Sequence, residues 1–347
     1  DAGMNLMRRN TTWPVLAENT ELWLAFGGVP LKNTAVAYGG IYRHETRQAL
    51  DRMAERGAEF VLVSPIRDDL PANVNAQWIP INPGTDVAAM LGIAHTLVTE
   101  ELHDQAFLDR YCTGFDRFES YLLGRDDGQP KSAGWAAGIT GIPAGELREM
   151  ARRLPGKRVM VSTTWSLQRT EYGEYKPWMG VVLAAMLGQI GLPGGGYGYA
   201  LGAIGYYGRR ANAVPGPTLS QGRNRHGNFI PVARIADMLL APGGEFSYNG
   251  ARHRYPDIRL VYWAGGNPFH HHQDLNRLLR AWSRAETIIV SECWWTSHAR
   301  HADIVLPATT TLERDDIASS SADRHIIAMK RAVPRQGQAR DEFDYMA

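Results

Sequence analysis

Apolar residues in this chain fall into short, nearly continuous runs that alternate with longer segments of helical spacing. The main runs cover Leu22–Phe26, Glu59–Val63, 157–162, 258–263 and 287–291, and shorter ones cover 78–82, 304–306 and 326–329. An unbroken apolar run is typical of a strand buried on both faces of a parallel sheet. Helical spacing covers 45–56, 87–98, 143–153, 175–190, 231–240 and 274–285. The alternation predicts an α/β protein with mainly parallel sheets and right-handed βαβ connections.

Two of the predicted strands end in the same kind of turn. Gly27-Gly28-Val29-Pro30 follows the first strand, and Gly265-Gly266-Asn267-Pro268 follows the strand at 258–263. Glycine adopts backbone angles closed to other residues, and proline prevents the strand from continuing. A strand, a glycine turn and a helix leave backbone N–H groups at the carboxyl edge of a sheet, where nucleotides bind. Two such edges predict one cofactor with two nucleotide ends, or two cofactors.

Polar side chains crowd the second of these edges, at residues 270–274 (HHHQD). A ligand-binding role, with hydrogen bonds to a phosphate or a base, is the preferred interpretation, and the alternative is a plain turn with solvated histidines. Neighbouring histidines in a turn point in different directions, and no His-x-x-x-His or His-x-x-Glu spacing accompanies them. A zinc site is therefore the weaker interpretation.

Acidic residues follow the predicted strands in both halves of the chain. In Pro83-Gly84-Thr85-Asp86, Thr85 or Asp86 is expected to cap the next helix, and Asp86 could also accept the N1–H and N2–H groups of a guanine. Glu292 has the equivalent position in the second half. Acidic groups at such positions bind ribose or base in nucleotide folds. The residues at 67–69 could form a salt-bridged turn or contact a nucleotide, and both interpretations stay open.

Composition narrows the class of protein. The chain has 347 residues, enough for two domains, and a formal net charge of +1, which gives no indication of nucleic acid or of an anionic membrane as a partner. Its longest apolar run, 179–187, is too short to span a bilayer. The cysteines, Cys112 and Cys293, are too few for a disulfide framework. A nicotinamide-binding fingerprint at 194–201 is not supported, because the glycines follow a helix and Leu201 replaces the last glycine.

Five stretches carry a more specific signal: TTWPVLAENTELWLAFGGVPLKN, WIPINPGTDVAAMLGIAHTL, AAMLGQIGLPGGGYG, YWAGGNPFHHHQDLNRL and ARHADIVLPATTTLERDDI. Each alone is modest, but together they are specific. With them the sequence resembles the molybdenum oxidoreductases of the dimethyl sulfoxide reductase family, and within that family most of all the biotin sulfoxide and trimethylamine N-oxide reductases. The resemblance implies two Rossmann-like, doubly wound α/β units and a molybdenum bis(molybdopterin guanine dinucleotide) cofactor.

The resemblance also implies which residues hold the two nucleotide ends. Those expected at the first guanosine are Gly27, Gly28, Pro30, Ser64, Pro65, Arg67, Gly84, Thr85 and Asp86, with Asp86 on the guanine. Those expected at the second are Gly266, Asn267, Pro268, His271, Gln273, Asp274 and Glu292. Glu292 stands where many relatives have Asp, and its longer carboxylate could still reach the base. No residue is expected to ligate the metal or to act as a catalytic group.

The family pattern further implies an internal portion of a longer protein. Residues 1–228 are expected to form one complete α/β cofactor-binding domain, and residues 229–347 the second half of another. The expected function is that of the central part of a molybdenum reductase that transfers an oxygen atom from an S-oxide or N-oxide and takes electrons from an external donor. A non-catalytic nucleotide-binding module and, less favoured, a nicotinamide-dependent dehydrogenase are the alternatives. The expected compartment is the cytoplasm, or the periplasm if a twin-arginine leader precedes the fragment.

Overall fold

The computed structural model describes residues 11–37, 41, 43–210, 222–223, 229–320 and 323–346. The chain divides into two compact units. Unit 1 comprises Asp1–Gly216 with Ser319–Ile326, and unit 2 comprises Pro217–Ala318 with Ile327–Ala347. The domain boundary expected between residues 228 and 229 stays a prediction.

Unit 1 is built from a central sheet and helices on both of its faces. Its helices are α1 (Trp13–Asn19), α2 (Thr46–Glu55), α3 (Asp86–Thr99), α4 (Gln105–Tyr111), α5 (Phe115–Leu122), α6 (Ala133–Thr140), α7 (Ala144–Arg153) and α8 (Tyr175–Met186). Its strands are β1 (Leu22–Phe26), β2 (Glu59–Val63), β3 (Gln77–Ile79), β4 (Val159–Thr163) and β5 (Gly196–Tyr199). The strand order is β3-β2-β1-β4-β5, and every pair is parallel.

Strand β1 explains why the sheet is covered on both sides. All five of its residues are buried, and Leu24 lies opposite Val61 of β2 and Val161 of β4. Alternate side chains of a strand point to opposite faces. Leu22, Leu24 and Phe26 accordingly join one hydrophobic cluster, whereas Trp23 and Ala25 join another. The predicted doubly wound α/β class with a parallel sheet is confirmed.

The sequence pattern missed some elements of unit 1 and predicted others to be longer than they are. Helices α1 and α6 were not anticipated, and the helix expected at 175–190 ends at Met186. The expected strand at 78–82 is the shorter β3. Strand β5 lies in a glycine-rich stretch with low intrinsic strand preference, and its parallel pairing with β4 determines its conformation.

Unit 2 contains smaller sheets. Its helices are α9 (Ile235–Leu240), α10 (Pro268–His271), α11 (Leu275–Trp282) and α12 (Glu342–Met346). Its strands are β6 (Glu245–Tyr248), β7 (Ala251–Arg254), β8 (Leu260–Ala264), β9 (Thr287–Glu292) and β10 (Ile304–Pro307), followed by β11 (Asp316–Ser319) and β12 (Ile326–Met329), which lie mostly in this unit. β8, β9 and β10 form a parallel sheet in the order β10-β9-β8. The pairs β6–β7 and β11–β12 are separate two-stranded sheets.

One expectation for unit 2 was wrong. Strand β8 is not buried on both faces, because Leu260 and Tyr262 are 55% and 44% exposed. The physical reason is that β8 is an edge strand whose Val261 and Trp263 pack against the hydrophobic cluster of α9 and α11, which covers one face only. The strand expected at 326–329 is present as β12, and it pairs with β11. Of the described helices, none has the length and apolar character needed to cross a bilayer.

Candidate functional site

The first candidate site is the carboxyl edge of the unit 1 sheet, where the strand order reverses between β1 and β4. Open α/β sheets bind ligands at such a switch point. Gly27 follows β1 with φ +82°, and a Cβ atom there would lie only 2.3 Å from Cγ2 of Thr164, which follows β4. The Thr164 N–H also donates to the carbonyl of Phe26 (3.0 Å). The two strand ends therefore approach so closely that only glycine fits at position 27.

The turn after β2 is joined to the turn after β1. Ser64 is buried, and its hydroxyl donates to Oδ2 of Asp69 (2.6 Å) and accepts the N–H of Ile66 (3.1 Å). The carbonyl of Asp69 accepts the N–H of Val29 (2.7 Å). The Ser64 hydroxyl is thus engaged within the protein, and Asp69 connects the two turns.

The other expected contacts at this edge differ in exposure. Pro65 and Arg67 are exposed, whereas Gly28 and Pro30 are buried. Gly84 is exposed with φ +84°, and no heavy atom lies within 4 Å of where its Cβ would be. A ligand could therefore approach the backbone at Gly84 directly.

Asp86, the first residue of α3, is a buried acid with no hydrogen-bond partner in another residue. It is only 3% exposed, and among the described residues only its own backbone N–H donates to the carboxylate. Burial raises the pKa of this carboxyl, and that backbone N–H and the positive charge of Lys176 partly oppose the rise. The expected side-chain cap is wrong: Thr85 has the N-cap position, but its hydroxyl donates to the carbonyl of Asn82 (2.7 Å). The Asp86 carboxylate at the start of α3 can therefore still accept hydrogen bonds from two N–H groups of a ligand.

The second candidate site is the turn that follows β8 in unit 2. Gly265 and Gly266 have φ of +77° and +75°, and open space surrounds both positions where a Cβ would stand. Oδ1 of Asn267 accepts the N–H of Phe269 (3.0 Å), and Pro268 is the buried first residue of α10. The backbone at the two glycines is accessible, while the asparagine side chain stabilises the turn.

The acidic residues near this turn already have partners within the protein. Oδ1 of Asp274, itself at φ +46°, accepts the N–H of Arg277 (3.0 Å) and so caps α11. Glu292 accepts the N–H of Cys293 (2.9 Å) and the hydroxyl of Thr296 (3.3 Å). His271 and Gln273 are exposed beside them. In this arrangement both carboxylates stabilise their own turns.

His298 is a functional candidate whose burial the sequence did not reveal. It is 0% exposed, and its ring packs among those of Trp263, Phe269 and Trp282, with centroids 5.2 to 6.3 Å away. Neither ring nitrogen makes a hydrogen bond of normal geometry within the described part of the chain. Burial lowers the pKa of this imidazole, and the charge of Glu292 and the nearby backbone of Gly266 partly oppose the shift. The folded state therefore disfavours the protonated form of this histidine.

We predict that replacing His298 with phenylalanine makes unit 2 less sensitive to acid. When the pH falls below the ordinary histidine value of 6.5, the unfolded chain binds a proton that the folded chain does not, so the free energy of unfolding falls. The melting temperature of the wild type should therefore fall more steeply between pH 7 and pH 5, about the range in which histidine titrates, than that of His298→Phe. The matched control is His270→Phe at an exposed position. Parallel pH profiles for all three proteins would contradict the assignment.

Within the residues that the structure describes, no three His, Cys, Asp or Glu side chains are grouped so as to hold a metal ion. The free cysteines, Cys112 and Cys293, are half-buried and exposed respectively, and burial raises the pKa of the Cys293 thiol. The Cys293 thiol therefore lacks the lowered pKa that is typical of a reactive thiolate.

Comparison with known proteins assigns the family. Residues 4–347 match the family of molybdopterin oxidoreductases. The chain belongs to that family. The resemblance found in the sequence is therefore confirmed, and family membership implies molybdenum bound by molybdopterin.

Named relatives are considerably longer than this chain. It is 49% identical over 329 residues to a biotin sulfoxide reductase of Cereibacter sphaeroides, covering 95% of this chain and 44% of the relative. It is 45% identical to a dimethyl sulfoxide/trimethylamine N-oxide reductase of the same organism (99% and 43% covered), and 40% identical to a trimethylamine-N-oxide reductase of Haemophilus influenzae (98% and 43%). The chain thus spans less than half the length of these relatives.

A solved structure supports the fold. The acetylene hydratase of Pelobacter acetylenicus matches with a TM-score of 0.60 at 16% identity, covering 95% of this chain and 46% of that one. At this identity the similarity shows the fold alone.

Proposed function

We propose that this chain is the cofactor-binding portion of a molybdenum S-oxide or N-oxide reductase, and that it holds the guanosine diphosphate ends of a bis(molybdopterin guanine dinucleotide). The observation that carries the proposal is Asp86 at the start of α3, a carboxylate 3% exposed that accepts no hydrogen bond from any other described residue. A buried polar group without a partner costs free energy. A guanine that donates N1–H and N2–H to Asp86 would remove that cost.

The two edges fit the proposed ligand in different ways. At the first, the buried acceptor Asp86 and the open backbone at Gly84 suit a guanine and the phosphates attached to it. At the second, Gly265 and Gly266 leave the backbone open in front of α10, and the exposed His271 and Gln273 supply donors. Anionic phosphates bind to backbone N–H groups and to such donors. Asp274 and Glu292 would support this second edge through the turns that they stabilise.

The residues of this chain bind and orient, and the cofactor performs the reaction. When bound, the molybdenum cofactor supplies oxygen-atom transfer together with the associated electron transfer. Gly27 and Gly28 allow the turn after β1 to approach Thr164 and Asp69 closely at the switch point, because glycine has no side chain to clash there. Ser64 and Asp69 fix the turn that borders it. None of the described side chains is proposed as a metal ligand or as a catalytic group.

The substrate class follows from the names of the relatives. Since these are reductases of biotin sulfoxide, dimethyl sulfoxide and trimethylamine N-oxide, we propose a small S-oxide or N-oxide as substrate and an external protein or dye as electron donor. The cytoplasmic compartment stays a prediction, and a twin-arginine leader in the full-length protein would change it to the periplasm.

The proposal predicts the cofactor content and the activity of the full-length protein. Purified from cells with an intact cofactor-maturation system, it should contain about one molybdenum and about two guanine nucleotides per chain. It should also oxidise reduced viologen dye when biotin sulfoxide or trimethylamine N-oxide is added. Guanine nucleotide without molybdenum or turnover would instead indicate a non-catalytic binding module. Binding of NAD(P)H with no guanine nucleotide would favour a dehydrogenase.

A further inference from the structure

Lys176 is a buried cation near Asp86 whose role nothing above assigns. It is 3% exposed, although it belongs to the otherwise apolar helix α8. Helices α3 and α8 pack together, and their first turns line the same hollow of about 660 Å³ through Val87 and Tyr175. The positive charge of Lys176 acts to lower the pKa of the Asp86 carboxyl and so favours the ionised carboxylate. Helix packing and the interaction of their charges thus place Lys176 and Asp86 at the same corner of unit 1.

These two charges do not form an ion pair. No oxygen of Asp86 lies within 4.0 Å of the Lys176 ammonium, and the one described hydrogen bond of that ammonium goes to the hydroxyl of Thr170. An ammonium has three donors, so donor capacity remains. Burying an ammonium and a carboxylate without contact between them is costly, since neither gains the full Coulomb attraction of a pair. A ligand lying between them would satisfy both.

The contact with Thr170 places Lys176 at the same sheet edge as the other proposed ligand contacts. The Thr170 hydroxyl donates to the carbonyl of Leu167 (3.3 Å). The side chain of Leu167 in turn lies 3.6 Å from the position where a Cβ on Gly27 would stand. Lys176 is thus held, through one turn, beside the end of β1.

We infer that Lys176 binds the same guanine base as Asp86. Its ammonium donates a hydrogen bond to the O6 carbonyl of the base, while the Asp86 carboxylate accepts hydrogen bonds from N1–H and N2–H. This inference rests on the proposed function and adds a residue that determines specificity. Guanine presents an acceptor beside two donors, which matches a cation beside an acid. Adenine presents the opposite pattern, with an amino group facing Lys176 and an acceptor facing Asp86. The pair would therefore reject adenine nucleotides at both positions.

The test uses GDP analogues that change one group of the base, with full-length protein prepared without its cofactor. In 6-thioguanosine diphosphate only O6 is replaced, by the weaker acceptor sulfur. In inosine diphosphate only the 2-amino group is missing. Wild-type protein should bind GDP about tenfold more tightly than the thio analogue, as expected for one hydrogen bond to a charged group. Lys176→Met should bind the two about equally, and the control Lys157→Met, an ion-pair partner of Glu59, should keep the wild-type preference.

Two results would overturn the inference, and neither depends on whether Lys176→Met folds. Equal binding of GDP and its thio analogue by the wild type would show that Lys176 only neutralises Asp86. The same conclusion would follow if Lys176→Met kept the wild-type preference. Weaker binding of inosine diphosphate would in either case still support guanine recognition by Asp86. A wild type that binds none of these nucleotides would overturn the proposed function itself.

Discussion

Adding one methyl group at Gly28 is expected to lower the free energy of unfolding by about 2–5 kcal/mol. The residue has φ +72°, and the new Cβ would lie 2.4 Å from the carbonyl oxygen of Asp69. The left-handed conformation alone costs an L-residue about 1–2 kcal/mol, and overpacking adds about 1–3 kcal/mol. That carbonyl also accepts the N–H of Val29, so relief of the clash would break the link between the turns after β1 and β2.

The control for Gly28→Ala is Gly57→Ala. Gly57 has φ +82°, but no heavy atom lies within 4 Å of where its Cβ would be. This substitution therefore adds the same conformational cost of about 1–2 kcal/mol without a clash. Thermal unfolding of the two variants and the wild type provides the comparison. If both variants lose the same stability, the close approach of the two turns does not restrict position 28.

The parallel sheet of unit 1 could be predicted because its central strands carry their own signal. The apolar runs of β1 and β2 cover Leu22–Phe26 and Glu59–Val63. A central strand that is covered by helices on both faces requires only apolar side chains, so the run itself is a sufficient signal. Gly196–Tyr199 carries no such signal, since β5 forms through its pairing with β4. The apolar run at 258–263 correctly predicted a strand but wrongly predicted that both of its faces are buried. An apolar sequence does not reveal how many layers of the structure cover the strand.

The glycine-containing turns of the candidate sites could be predicted from the sequence. The buried polar side chains near those turns could not. Gly27, Gly28, Gly265 and Gly266 do have positive φ, as paired glycines after a strand suggest. The burial of Lys176 and of His298 could not be predicted. A single lysine in an apolar helix or a single histidine in a turn is ordinary in sequence, and only the fold shows that each is buried. Thr164 was missed for the same reason, since its importance lies in its approach to Gly27.

Replacing Asp86 with asparagine should separate ligand binding from stability. The amide turns an N–H donor toward a base that itself donates there, so two hydrogen bonds to a charged acceptor are lost. At about 1.5 kcal/mol or more for each, GDP affinity should fall about a hundredfold in full-length protein prepared without its cofactor. Titration calorimetry measures the change. The control is Asp68→Asn, the same replacement at an exposed position on the same sheet edge, which should leave the affinity unchanged.

The thermal stability of Asp86→Asn should not fall, although its affinity for GDP does. Burial raises the pKa of the folded-state Asp86 carboxyl above 3.8, so the folded protein holds that proton more tightly than the unfolded chain does. Stability is therefore lost as the pH rises from 3.8 through the folded-state pKa, and at neutral pH the buried carboxylate is a cost. Asparagine removes that charge, and the melting temperature of Asp86→Asn should not fall. A lower melting temperature with unchanged GDP affinity would make Asp86 a structural acid and would remove the main support for guanine recognition at α3.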